Sequence, residues 1–113
     1  MDDEHFTVEL VTSPETISLQ DLSTFKIGLL IINKTNKPIH FDVSKTKLFV
    51  DDRRSFSWDL AVQNGAIINL KVNSKKTEIV DWPLGKALFS EEGTYVLRLE
   101  WKESIQNKTI VIL

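Results

Sequence analysis

From Phe25 to Val43 the chain reads Phe-Lys-Ile-Gly-Leu-Leu-Ile-Ile-Asn-Lys-Thr-Asn-Lys-Pro-Ile-His-Phe-Asp-Val, and no other stretch restricts the fold as much. Phe25, Ile27, Leu29 and Ile31 recur at every second position, and so do Ile39, Phe41 and Val43. A two-residue period collects side chains on one face of an extended chain, so both halves read as β-strands. Between them, residues Asn33 to Pro38 carry amides that bond their own backbone and a proline that fixes φ, which is the chemistry of a turn. The expectation is a hairpin of two antiparallel strands. Leu30 and Ile32 make the reverse face of the first strand apolar as well. That strand is therefore expected to be central and covered on both sides.

The remaining chain repeats this pattern in shorter pieces. Residues Phe6 to Val11 alternate, with Phe6, Val8 and Leu10 inward, until Thr12-Ser-Pro-Glu interrupts the ladder. Ile17 and Leu19 form a second apolar pair, as expected for a first strand that leaves one sheet and joins the other. Lys47 to Val50 is a short strand closed by the charged turn Asp51-Asp-Arg-Arg54. Residues Phe56 to Val62 show a clean two-residue period and are expected to be a strand; the competing reading is a short helix from Ser57, ended by Gly65. Asn64-Gly65 is a tight-turn dipeptide. Ala66 to Val72 and Thr77 to Trp82 read as strands, and Pro83 to Phe89 as a connection with one helical turn. Thr94 to Trp101 is a strong strand with Tyr95, Leu97, Leu99 and Trp101 inward and Arg98 and Glu100 outward. Glu103 to Asn107 are expected to be a polar hairpin loop before a last strand from Thr109 to Leu113. Short strands with turn signals roughly every 8–12 residues indicate a sandwich or barrel.

A chain of 113 residues without linkers or repeats fits one domain spanning residues 1–113. It contains no cysteine, which removes disulfide frameworks, thiolate zinc sites and cysteine nucleophiles together. With 14 Lys and Arg against 16 Asp and Glu, and no basic stripe, no nucleic acid is expected as a partner. The longest apolar run, Ile27 to Ile32, is too short to span a bilayer, so no membrane insertion is expected. Met1-Asp-Asp-Glu-His5 lacks the basic start and apolar core of a secretory signal. Read from Met1, the protein is expected in the cytoplasm; with a removed signal, it is expected to be secreted or in the envelope.

No catalytic constellation emerges. Serines occur without a Gly-x-Ser-x-Gly elbow or a Ser-x-x-Lys motif, and there is no phosphate-cradling glycine loop. His40 alternates with Ile39 and Phe41, so it is expected to face solvent beside Asp42; His5 lies in an acidic tail. Asp51 with Asp52, and Glu91 with Glu92, lack the alternating oxygen ligands and central glycine of a calcium loop. No metal site, no cofactor and no enzymatic activity are expected. Asn33-Lys-Thr35 and Asn107-Lys-Thr109 match the glycosylation acceptor pattern, which matters only in a eukaryotic secretory setting. Three residues are singled out for binding. Arg53 and Arg54 sit in a charged hairpin tip, where a guanidinium forks onto a partner's carboxylate, although such turns are commonly just solvated. Trp82 stands at a strand end before Pro83 and is the tryptophan expected to be partly exposed, whereas Trp58 and Trp101 are expected in the core.

Two resemblances sharpen these expectations. Glu92-Gly-Thr-Tyr-Val-Leu-Arg-Leu99 resembles the opening of a late strand in immunoglobulin-like domains, where a tyrosine bonds back to nearby backbone. Tyr95 would be that tyrosine, Leu97 would take the position of a disulfide cysteine, and Leu29 or Ile31 would be its partner. The order of features also resembles the bacterial intracellular proteinase inhibitor family of BsuPI type. The matching pieces are the apolar strand into Asn33-Lys-Thr-Asn-Lys-Pro-Ile-His-Phe41, then Trp82, then Gly93-Thr-Tyr-Val-Leu97. It transfers no reactive-site residue. The expected fold is an all-β, immunoglobulin-like antiparallel β-sandwich of about 7–9 strands. The expected function is a non-catalytic module that binds another protein, with proteinase inhibition or regulation as its finer form, acting as a monomer or weak dimer. The alternative is an envelope or secreted accessory domain that binds glycan or belongs to a larger assembly.

Overall fold

A computed structural model describes residues 5–63 and 69–113. The chain is an all-β sandwich. Its strands are β1 (Phe6–Ser13), β2 (Thr16–Ile17), β3 (Lys26–Asn33), β4 (Ile39–Phe41), β5 (Lys47–Val50), β6 (Arg53–Arg54), β7 (Leu70–Val72), β8 (Thr77–Trp82), β9 (Gly93–Trp101) and β10 (Ser104–Ile112). Strands β1, β3 and β8 form one layer in that order, and β2, β10, β9, β5 and β6 form the other; β4 pairs with β7 separately. Two of the ten strands among the described residues are only two residues long, which accounts for the excess over the expected number. Strand β2 runs parallel to β10, whereas every other described pair is antiparallel. The first strand does change sheets at Ser13-Pro14: β1 pairs with β3, and β2 pairs with β10.

The period-two pattern of β3 places Ile27, Leu29 and Ile31 in the core with no solvent exposure. Strand β3 is central, as expected, but its reverse face is only half covered: Leu30 and Ile32 are half-buried. The expected hairpin between β3 and β4 does not form. A strand has two hydrogen-bonding edges, and both edges of β3 are taken, by β1 and β8. Strand β4 therefore pairs with β7, matching Phe41 to Leu70. The approach of β8 to β3 is close at Gly28, where a Cβ would lie 2.0 Å from the Val80 carbonyl oxygen. Only glycine admits that contact.

Two further expectations are corrected. Residues Phe56–Ala61 are an α-helix, α1, rather than a strand. Ser55 caps it, its Oγ accepting from the Trp58 N–H at 3.1 Å. Alternating residues on a helix lie about 200° apart, so one apolar string divides between two opposite faces. Trp58 and Val62 turn into the core, while Phe56 and Leu60 turn outward. The second correction concerns the loop expected at Glu103 to Asn107, of which Ser104 to Asn107 belong to β10. Only Lys102 and Glu103 separate β9 from β10, and Lys102 takes a positive φ of 54°. The polar letters have a structural use. Gln106, on the inward side of β10, accepts from the Leu10 N–H and donates to the Val8 carbonyl, and Lys108 reaches the Leu10 carbonyl. They close the gap between the layers at the edge of β1.

The helical turn expected after Pro83 is present as a second helix, α2 (Gly85–Leu88). The expected Asn64-Gly65 turn, and residues 66–68 of the expected strand ending at Val72, lie outside the described residues. Among the described residues no helix is long and apolar enough to cross a membrane.

Candidate functional site

The hairpin of β5 and β6 turns through Asp51 and Asp52, whose φ angles of 49° and 68° are both positive. Two consecutive positive φ values match the right-handed twist of the strands they join, and Asp tolerates them. Backbone and side chains then tie this tip to β9. The Asp51 N–H donates to the Val96 carbonyl at 2.9 Å, and the Val96 N–H donates to Asp51 Oδ1 at 2.8 Å. Arg98 pairs with Asp52, bonds Glu100 Oε2 at 2.9 Å and lies 4.4 Å from the centre of the Phe49 ring. The hydrogen bond to Asp52 raises the Arg98 pKa above its already high usual value.

Between this tip, the start of α1 and the end of α2 lies a cleft of about 570 Å³. Val50, Phe56, Ala87, Leu88 and Tyr95 provide apolar lining, and Asp51, Arg53, Arg54, Ser55 and Ser57 provide polar groups. The volume lies in the range of about 300–1,000 Å³ typical of ligand sites. Phe56 is 78% exposed and Leu60 77%, four residues apart on the outer side of α1. The cleft floor is firm: Tyr95 Oη donates to the Glu91 carbonyl at 2.7 Å, and its ring meets Phe89 at 4.9 Å. That is the backbone-bonded tyrosine expected from the sequence.

Two of the three singled-out binding residues come together here. Arg53 and Arg54 both line the cleft. Arg54 is held by Asp59 of α1 through Nε and Nη2 at 3.1 Å. Trp82 does not line it; it is half-buried at the end of β8, and its ring meets that of Trp58 at 5.1 Å and 78°. Trp58 is fully buried, its Nε1 donating to Thr46 Oγ1 at 3.1 Å. His40 is exposed on β4, opposite Lys71. Phe56 and Leu60 escaped the sequence reading because a strand would have turned them inward. The serine that caps the helix was the available signal.

No protein-family model and no curated protein sequence matches this chain.

Proposed function

We propose that this domain is a non-catalytic protein-binding module that engages its partner through the cleft and the outer face of α1, with proteinase inhibition or regulation as its finer form. One observation carries the reading: two large apolar side chains, Phe56 and Leu60, stand almost fully in solvent beside a preformed cleft. A monomeric protein gains nothing in stability from that exposure, and contiguous apolar patches rimmed by polar groups are typical of interaction surfaces. The neighbouring arginines add directed hydrogen bonds to the apolar contact, the mixture common at the centre of interfaces.

Strand addition is the weaker route for this chain. The edge of β1 is occupied by Gln106 and Lys108, and β6 runs into α1 after two residues. Strand β8 ends its layer among the described residues but carries Glu78 and Asp81, charges that discourage edge pairing. Glycan binding is also less favoured, because the Trp82 ring is engaged with Trp58.

The test uses the purified chain as bait against lysate and envelope fractions, with a Phe56→Ser, Leu60→Ser variant as control and mass-spectrometric readout. A protein captured in near-stoichiometric amount by the native chain and lost with the variant is the expected result. Capture that is indifferent to the variant moves the interface elsewhere. Retention of cell-wall or glycan material instead favours an envelope accessory domain.

A further inference from the structure

We infer that the free edge of β8 is a self-association site, where a second copy of this chain adds its own β8 antiparallel, with Ile79 opposite Ile79 of the copy. The site is separate from the cleft, so the inference goes beyond the binding-module reading. Along an antiparallel pair, residues turn their backbone groups toward the neighbouring strand at every second position. The Asn33 N–H donates to the Lys76 carbonyl at 2.9 Å, and the same register then sets Ile31 against Glu78, Leu29 against Val80 and Ile27 against Trp82. Glu78, Val80 and Trp82 therefore turn their N–H and C=O groups to β3. Thr77, Ile79 and Asp81 turn theirs away, and no described residue pairs with them. The other margin of this layer is treated differently: Gln106 and Lys108 bond the outward backbone groups of Val8 and Leu10. Among the described residues, one edge of the layer is closed and the other is open.

The side chains along the open edge are complementary to themselves. Glu9, Leu30 and Ile79 form one cross-strand row on the outer face of the layer, and Ile79, at the end of the row, is 59% exposed. A two-fold axis beside Ile79 continues the row into Ile79 and Leu30 of the copy, which takes the branched side chain out of water. In the same register Thr77 meets Asp81 of the copy, so all three outward-turned residues exchange hydrogen bonds. Charge follows the symmetry too. The strand starts after Lys75 and Lys76 and ends near Asp81, so an antiparallel copy lays each basic start against an acidic end. Glu78 falls opposite Val80. Edge charges discourage pairing in registers that oppose them, and here they select this one. The like pair that remains, Glu78 with Glu78 of the copy, lies on a diagonal of about 7–8 Å. That repulsion and the small area of a single strand pair make the dimer a weak one.

Sedimentation equilibrium of the full chain tests this. The native chain is expected to show a monomer–dimer equilibrium with a Kd below about 1 mM. Ile79→Lys sets two ammonium groups face to face across the axis and is expected to weaken association about tenfold or more, with the native circular dichroism spectrum kept. Ile105→Lys, at a similarly exposed isoleucine on β10, is expected to change it less than about twofold. The register has its own readout, because the chain contains no cysteine. Cα atoms of a hydrogen-bonded pair lie about 5.5 Å apart, within disulfide reach. Oxidised Ile79→Cys is therefore expected to give more covalent dimer than Thr77→Cys, Asp81→Cys or Ile105→Cys. A chain that stays monomeric up to about 1 mM overturns the inference, as does a dimer indifferent to Ile79→Lys. A dimer kept with Ile79→Lys but lost with Phe56→Ser, Leu60→Ser also overturns it and moves the copy to α1. Cross-linking that is strongest at position 77 or 81 overturns the register. The bait experiment judges the cleft independently of all these results.

Discussion

Asn33 shows how much one buried amide can organise. It is 2% exposed at the end of β3. Its Nδ2 donates to the carbonyls of Lys37 at 2.8 Å, Val72 at 3.0 Å and Asn73 at 3.1 Å. Its Oδ1 accepts from the Thr35 N–H at 2.9 Å and the Thr35 hydroxyl at 2.8 Å. One side chain thus joins the β3–β4 loop to the β7–β8 turn, which Ser74 Oγ reinforces by donating to the Thr35 carbonyl. Turned inward in this way, Asn33 is not presented as a glycosylation acceptor, whatever its tripeptide. Asn33→Ala is expected to lower stability by about 2–3 kcal/mol, since it leaves several polar groups unpaired, some buried and some within reach of water. A loss below about 0.5 kcal/mol in urea unfolding would show that water replaces the amide completely. Tyr95→Phe removes one bond at a more open site. It is expected to cost about 0.5–1.5 kcal/mol, and a neutral result would deny the Glu91 contact any role in stability.

Helix α1 carries the lesson at the scale of elements. Phe56, Trp58, Leu60 and Val62 spell a strand when read in steps of two, and the same letters on a helix belong to two opposite faces. Local pattern does not decide between them; the Ser55 cap and the room beneath Trp58 do. The helical reading makes a contrast that a strand would not. Phe56→Ser and Leu60→Ser are each expected to change stability by less than about 0.5 kcal/mol, because both side chains are already in solvent. Trp58→Ala is expected to cost about 3–5 kcal/mol, the usual penalty for emptying a buried aromatic site. Equal, large losses at all three positions, measured by chemical denaturation, would restore the strand. Pairing is similarly beyond local pattern. The β3 and β4 strands were legible, but their partners were not, because the competition for β3's two edges is settled by β1 and β8.

Across the whole molecule, aromatic clusters mark both ends of the sandwich. Phe6, Phe41 and Trp101 meet at 5.3–5.7 Å near the Asn33 end of β3, and Trp58 meets Trp82 toward the other. Between them the apolar interior is one continuous cluster from Val8 to Ile112. Unfolding is therefore expected to be a single transition, with tryptophan fluorescence and far-ultraviolet circular dichroism giving coincident midpoints. Separate midpoints would mean that the two ends melt independently. Most of the pairing is between residues far apart in the chain, such as β1 with β3 and β5 with β9.

The alternation of Phe25 to Ile31 and of Tyr95 to Trp101 pointed to an all-β sandwich, because each row continues into a long strand that needs a facing layer, whereas the same period at Phe56 to Val62 folds as a helix. Turn chemistry placed a hairpin tip at Asp51–Arg54, of which Asp51 and Asp52 are the turn and Arg53 and Arg54 already strand β6, and Gly93-Thr-Tyr95 announced the tyrosine bond, since both depend on residues adjacent in the chain. The cleft was not legible. It joins Val50, Phe56, Leu88 and Tyr95 from four separate elements, and its exposed rim exists because one apolar string folded as a helix. Charge compensation was equally hidden: Arg53 and Arg54 are neighbours in sequence, yet Asp59 engages only Arg54. Which arginine remains available is a matter of distance and direction, and those arise when the elements pack.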